Sequence, residues 1–160
     1  MLSTLTSNTT RLLLALTLSL LGATAGAQGV FAPDVPTLDV EAIQAAERAG
    51  EKLLLVDVRS PEEIAVSMIP GAVTRREYER HADDYSDYRI VPYCTVGARS
   101  AKYTRQLRER GVSAVNFRDS IIGWVEAGQA LVTPDGEPTK RVHTYSDRFD
   151  VPEPYEKVTR

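Results

Sequence analysis

At 160 residues the chain is long enough for one domain with a real core, and 42% apolar against 26% charged residues exclude a disordered tract. A formal charge of −3 makes the domain mildly acidic, which argues against a nucleic acid as partner. The single cysteine excludes a disulfide within the chain, and His81 and His143 lie in polar segments without partners at ligand spacing, so no metal or other cofactor is expected.

In chain order, Arg11 precedes an apolar run from Leu12 to Leu21, and Ala25-Gly26-Ala27 follows. A basic residue, an apolar stretch and a small-x-small cleavage site are the layout of a secretory signal peptide, expected over 1–27, which makes the mature protein secreted or periplasmic. The run is about half of the ~20 residues that cross a bilayer, so membrane contact is expected only through this segment. Cleavage would remove Arg11 and no acid, moving the charge from −3 to −4. Residues 28–36, with two prolines and no periodicity, read as an extended lead-in.

A domain is expected over 37–132. Thr37 is placed to cap a helix running to Ala49, with Val40, Ile43 and Ala46 at helical spacing and Gly50 as the stop. Leu53 to Val58 is a continuous apolar run, as expected of a parallel strand covered on both faces. Ser60-Pro61-Glu62-Glu63 starts a short helix, with serine as cap, proline in the first turn and acids after it. Pro70-Gly71 turns the chain, and Arg75 to Asp84 is a polar helical pattern anchored by Tyr78. Arg89 to Tyr93 is a second buried strand, Ala101 to Arg110 a helix closed by Gly111, Val112 to Phe117 a third strand, and Ser120 to Ala127 a last helix holding Trp124. Strands alternating with helices predict an α/β fold, a small parallel sheet with helices on both faces. Residues 133–160, opened by the turn Pro134-Asp135-Gly136, read as a C-terminal extension, an appended strand or extended tail.

The informative segment is Cys94-Thr95-Val96-Gly97-Ala98-Arg99-Ser100, between a strand and a helix. A thiol there faces the free amides of a helix start, which favour the thiolate. This segment resembles the Cys-x-x-Gly-x-Arg-Ser loop of rhodanese-type sulfurtransferases. Leu54 to Glu63 and Ile69-Pro70-Gly71-Ala72 resemble two further signatures of that family, and Leu107, Gly111 and Ile121 to Gly128 fit its later helices.

The resemblance implies a single-domain sulfurtransferase that moves sulfane sulfur from a small donor such as thiosulfate to a thiol, cyanide or a protein acceptor, through a persulfide on Cys94. It implies that residues 95–100 (Thr95, Val96, Gly97, Ala98, Arg99 and Ser100) line the donor site, and that Asp57 and Arg59 form a structural acid–base pair nearby. From the residues alone, Arg99 has two open roles: binding a donor's oxyanion, or pairing with a carboxylate to brace the loop. Ser100 is expected to cap the helix. Thr95 stands where a basic residue is frequent, so the pocket is expected to be less cationic; Ser67-Met68 replaces a Gly-His, with consequences only for packing. Phosphatases and arsenate reductases of this scaffold have a Cys-x5-Arg loop, and non-catalytic modules lose the cysteine. Cys-x4-Arg, with cysteine retained, speaks against both.

Overall fold

The computed structural model describes residues 35–159, which belong to one compact unit. The expected signal peptide, and all but the end of the lead-in, lie outside the described residues. Within them, no helix is long and apolar enough to cross a membrane.

The elements in chain order are β1 (Thr37–Leu38), α1 (Val40–Arg48), β2 (Leu53–Asp57), α2 (Pro61–Val66), β3 (Val73–Thr74), α3 (Arg75–Arg80), a 3-10 turn at Ala82–Tyr85, β4 (Arg89–Tyr93), α4 (Ala98–Glu109), β5 (Asn116–Phe117) and α5 (Ser120–Glu126). Then come β6 (Leu131–Val132), β7 (Pro138–Thr139), β8 (Arg141–His143) and β9 (Glu156–Val158). β2 lies between β3 and β4 in parallel register, with Leu53 opposite Arg89 and Asp57 opposite Tyr93. β5 pairs in parallel with β1, and a single parallel bridge, Ile90 to Ala114, joins it to β4. The sheet therefore runs β1-β5-β4-β2-β3, the parallel α/β architecture expected.

Alternation along the strands sorts the core into two layers. Leu55, Val91 and Tyr93 face one side, with Ile43 of α1 and Ile121, Trp124 and Val125 of α5. Leu54, Val56 and Ile90 face the other, with Tyr78 of α3 and Tyr103 and Leu107 of α4. Both faces are buried, which is why the strands read as unbroken apolar runs.

Two helix starts differ from expectation. Asp39, not Thr37, caps α1: its carboxylate accepts the Ala42 N–H at 2.8 Å. Thr37 and Leu38 are thereby free to pair with Asn116 and Phe117 as an edge strand. The helix after the loop starts at Ala98, earlier than Ala101, because Gly97 caps it with its backbone. Pro92 stays inside β4. Arg89 donates to Lys52 on the β2 side while Ile90 donates to Ser113 on the β5 side. By alternation the proline nitrogen faces β5, where regular pairing has nearly ended, so the β2 ladder loses no donor.

The C-terminal extension is built into the domain. β6 and β7 form an antiparallel hairpin around Pro134-Asp135-Gly136, and β8 pairs in parallel with β9. Val142 of β8 and Tyr155 are buried in the same core layer as Phe117 and Trp124. Val142→Ala should therefore destabilise the protein by about 1–3 kcal/mol, through lost burial and a residual cavity. The measurement is the urea midpoint at unchanged slope. An unshifted midpoint would show that the extension adds nothing to the core.

Candidate active site

β4 carries the chain to the carboxyl edge of the sheet and ends at Tyr93, so Cys94 is the first residue past the strand. Open parallel sheets bind ligands at that edge. Gly97 shapes the turn into α4, with φ of 86° in the left-handed region. A Cβ there would stand 2.2 Å from the Arg118 carbonyl oxygen, so the close approach requires glycine as much as the dihedral does. The start of α5 grips the loop from behind. Two of its N–H groups, free as in any helix start, bind loop carbonyls: Ile121 to Cys94 at 3.1 Å and Ile122 to Thr95 at 3.3 Å.

The Cys94 residue is 1% exposed. Its sulfur accepts the Gly97 N–H at 3.2 Å, with the Ser100 hydroxyl at 3.7 Å and that of Ser120 at 4.0 Å. Burial pushes the thiol pKa up, but the amide and hydroxyl of Ser100 and the amides of Val96 and Arg99 outweigh it, and the net shift is downward. The thiolate is held by a ring of backbone donors.

Ser100 does not cap α4. It lies inside the first turn, where its hydroxyl donates to the Gly97 carbonyl at 3.0 Å and reaches the sulfur. Ser120 was not legible in the sequence as a site residue. Its hydroxyl accepts the Cys94 N–H at 3.1 Å and donates to Phe117 O at 2.9 Å. It does so from φ of 54°, a conformation costly for a residue with a side chain.

Of the two roles open to Arg99, the structure shows the pairing with a carboxylate. Its Nη1 donates to Glu63 Oε2 and its Nη2 to Glu63 Oε1, both at 2.7 Å, and Nη2 also reaches Thr95 Oγ1 at 2.9 Å. Thr95 donates to the same Glu63 oxygen at 2.7 Å, so its buried hydroxyl serves the brace. Glu63 also completes the cap of α2 by accepting the Ser60 N–H at 3.0 Å. Burial pushes this carboxyl up, yet hydrogen bonds from Arg99, Ser60 and Thr95 bring it down to about 2. The sequence signal was the Ser60-x-x-Glu63 capping box, which explains the acid without Arg99. Val96 and Ala98 are exposed at the loop's outer edge.

Asp57 and Arg59 form the expected structural pair. Arg59 Nη2 meets Asp57 Oδ2 at 2.6 Å and Nε meets Oδ1 at 3.0 Å, with both side chains fully buried. Arg59 also donates to the Ser67 carbonyl, and its guanidinium lies 5.8 Å from the Tyr93 ring. Tyr93 Oη accepts the Ile69 N–H at 3.2 Å. Burial and the neighbouring Asp57 hold that phenol protonated. The pair thus braces the residue preceding Cys94 and does not touch the sulfur.

A parallel α/β domain with a cysteine cradled by amides past its central strand is a defined structural class. The family model described as the rhodanese-like domain matches residues 40–127, and the chain belongs to that family. A relative from Allochromatium vinosum named a sulfurtransferase is 36% identical over 106 residues, 64% of this chain and 99% of the relative. A thiosulfate sulfurtransferase from Pseudomonas aeruginosa superimposes with a TM-score of 0.54 at 27% identity, over 64% of this chain. This chain spans only 21% of that larger protein. A Rhodopseudomonas palustris protein of unknown function, named a possible tyrosine phosphatase, superimposes with a TM-score of 0.52 at 24% identity, over 59% of this chain and 83% of its own. At that identity the likeness is one of fold.

Two outcomes follow from the electrostatics. The rate of Cys94 alkylation by iodoacetamide should rise with pH through a midpoint below that of a free thiol. A midpoint at or above it would mean that the amides do not meet the sulfur. Glu63, held below its ordinary value of 4.5, contributes stability that is complete above that value and lost as pH falls toward about 2. Glu63→Gln should accordingly flatten the acid side of the stability profile in that window, read by urea unfolding at each pH. An unchanged profile would remove Glu63 as the brace.

Proposed function

We propose that the protein is a rhodanese-type sulfurtransferase working through a persulfide on Cys94. The observation that carries this reading is the sulfur's surroundings. It is held as an anion by backbone N–H groups and serine hydroxyls, and no histidine is hydrogen-bonded to it among the described residues. A cysteine thiolate is soft enough to attack sulfane sulfur without a base, in contrast to the histidine-activated cysteine of a Cys–His hydrolase. The relative named a sulfurtransferase, matched over nearly its whole length, supports the same reading.

With thiosulfate as donor, the Cys94 thiolate attacks the outer sulfur. A new S–S bond forms, the old one breaks, and sulfite leaves with the electron pair. The persulfide's terminal sulfur then occupies the anion site. An acceptor thiolate or cyanide attacks that sulfur and releases Cys94 as thiolate, so two displacements close the cycle with no outside oxidant or reductant. The sulfur's slight exposure favours a slim nucleophile, or a protein thiol presented at the end of its side chain. The signal-like segment at 1–27 supports a protein that acts after export.

The rival chemistry on this scaffold is phosphoryl transfer, whose transition state spreads charge over three equatorial oxygens that each need donors. Cys-x4-Arg closes a smaller ring of amides than Cys-x5-Arg, so fewer backbone donors can surround such a group. After exposure to thiosulfate the protein should gain the mass of one sulfur on Cys94, and it should transfer that sulfur to cyanide. Cys94→Ser should lose both while changing stability by less than about 1–2 kcal/mol. Cys94-dependent hydrolysis of an aryl phosphate that outpaces sulfur transfer would overturn the assignment.

A further inference from the structure

Tyr145 is 66% exposed, the most exposed large hydrophobic side chain among the described residues. It sits in the segment after β8, beyond residues 40–127 that match the family domain. Its backbone is left-handed, at φ of 65°, which glycine would adopt far more readily. Its N–H donates to His143 Nδ1 at 3.0 Å, next to the buried Val142, and β8 packs on α2. A bulky aromatic is thus held in an unfavourable conformation on the surface. Its ring lies over the Arg99 guanidinium, 5.3 Å from ring centre to carbon.

Arg99 has donors to spare. Three of its five N–H groups go to Glu63 and Thr95, which leaves Nε and one hydrogen of Nη1. Its side chain is 39% exposed, and Cys94 is among the neighbours that stabilise its charge. Glu63 fixes one edge of the guanidinium and Tyr145 covers one face. The anchors come from α2 and from the segment that follows β8, the strand that packs on α2. A planar cation held on an edge and a face has a fixed orientation, and Cys94 is among the groups its charge meets.

We propose that Tyr145 is a positioning residue for an anionic sulfur donor: by stacking on Arg99 it aims that arginine's free N–H groups at the donor's oxyanion end while the sulfane sulfur meets Cys94. The identity of the donor rests on the sulfurtransferase reading, but the preference for an anion at Cys94 does not. The ring's face carries the contact, so its hydroxyl is dispensable.

The test uses two alkylating reagents of similar size and the same leaving group, anionic iodoacetate and neutral iodoacetamide, on the full chain. Tyr145→Ala should slow iodoacetate at least about threefold, the scale of an exposed cation–π contact, and leave iodoacetamide unchanged. Tyr145→Phe should match the native protein with both reagents. With thiosulfate, Tyr145→Ala should raise KM by a similar factor at unchanged kcat. Equal slowing of both reagents would reduce Tyr145 to a structural role and overturn the proposal, as would rates unaltered by either variant. Reagent discrimination that depends on Tyr145, in a protein that takes no sulfur from thiosulfate, would uphold the positioning and remove thiosulfate as the donor.

Discussion

A buried carboxylate is the constraint on which the loop geometry depends. Glu63 is 2% exposed, and an ionised group there is tolerable only if every oxygen is paired. Ser60, Thr95 and Arg99 together satisfy it. The consequence is mechanical. The N-terminus of α2, the loop behind Cys94 and the first turn of α4 are tied to one point, although 36 residues separate Glu63 from Arg99. Such pairs contribute little net stability and much geometric definition, because misalignment strands a charge. The Asp57–Arg59 pair does the same below the site, where it fixes Tyr93 and the turn at Ser67 with no solvent contact.

With the loop pinned from two sides, the sulfur can be stabilised without a conventional base. Amides need no proton transfer to hold an anion, and their orientation is set before it forms. Backbone strain makes this arrangement: Gly97 at positive φ against the Arg118 carbonyl, and Ser120 at positive φ between Phe117 and Cys94. Each strained residue is over-determined by hydrogen bonds from elements on both sides.

The architecture was legible in the sequence because both faces of the sheet are covered, which turns β2 and β4 into apolar runs whose bounds stand out against polar turns. The cysteine loop was legible because glycine and small residues at fixed spacing announce a tight turn. What escaped the reading depends on long-range partners. Thr37 looks like a helix cap until β5, nearly eighty positions later, claims it for the sheet. Ser120 reaches Cys94 across 26 residues, and a serine opening a helix already has a sufficient local explanation. Glu63 was explained locally by its capping box, and Tyr145 lay in a segment read as an appended strand or extended tail. In each case a short-range rule accounted for the residue and concealed the longer contact.

The site's charge balance bears on what such a loop selects. Thr95 contributes a buried hydroxyl and no charge, and Glu63 offsets the charge of Arg99, so the surroundings of the sulfur hold little excess positive charge. On the proposed reading, recognition of an anionic donor rests on direction more than on field strength, through the free donors of one fixed guanidinium and not a cluster of cations. A weak field makes orientation decisive, because a misaligned arginine would leave the donor with nothing else to bind. The exposed rim has Val96 from the family domain and Tyr145 from the extension. On the proposed reading, the common domain supplies the sulfur chemistry, and the appended segment governs which donor is held long enough to react.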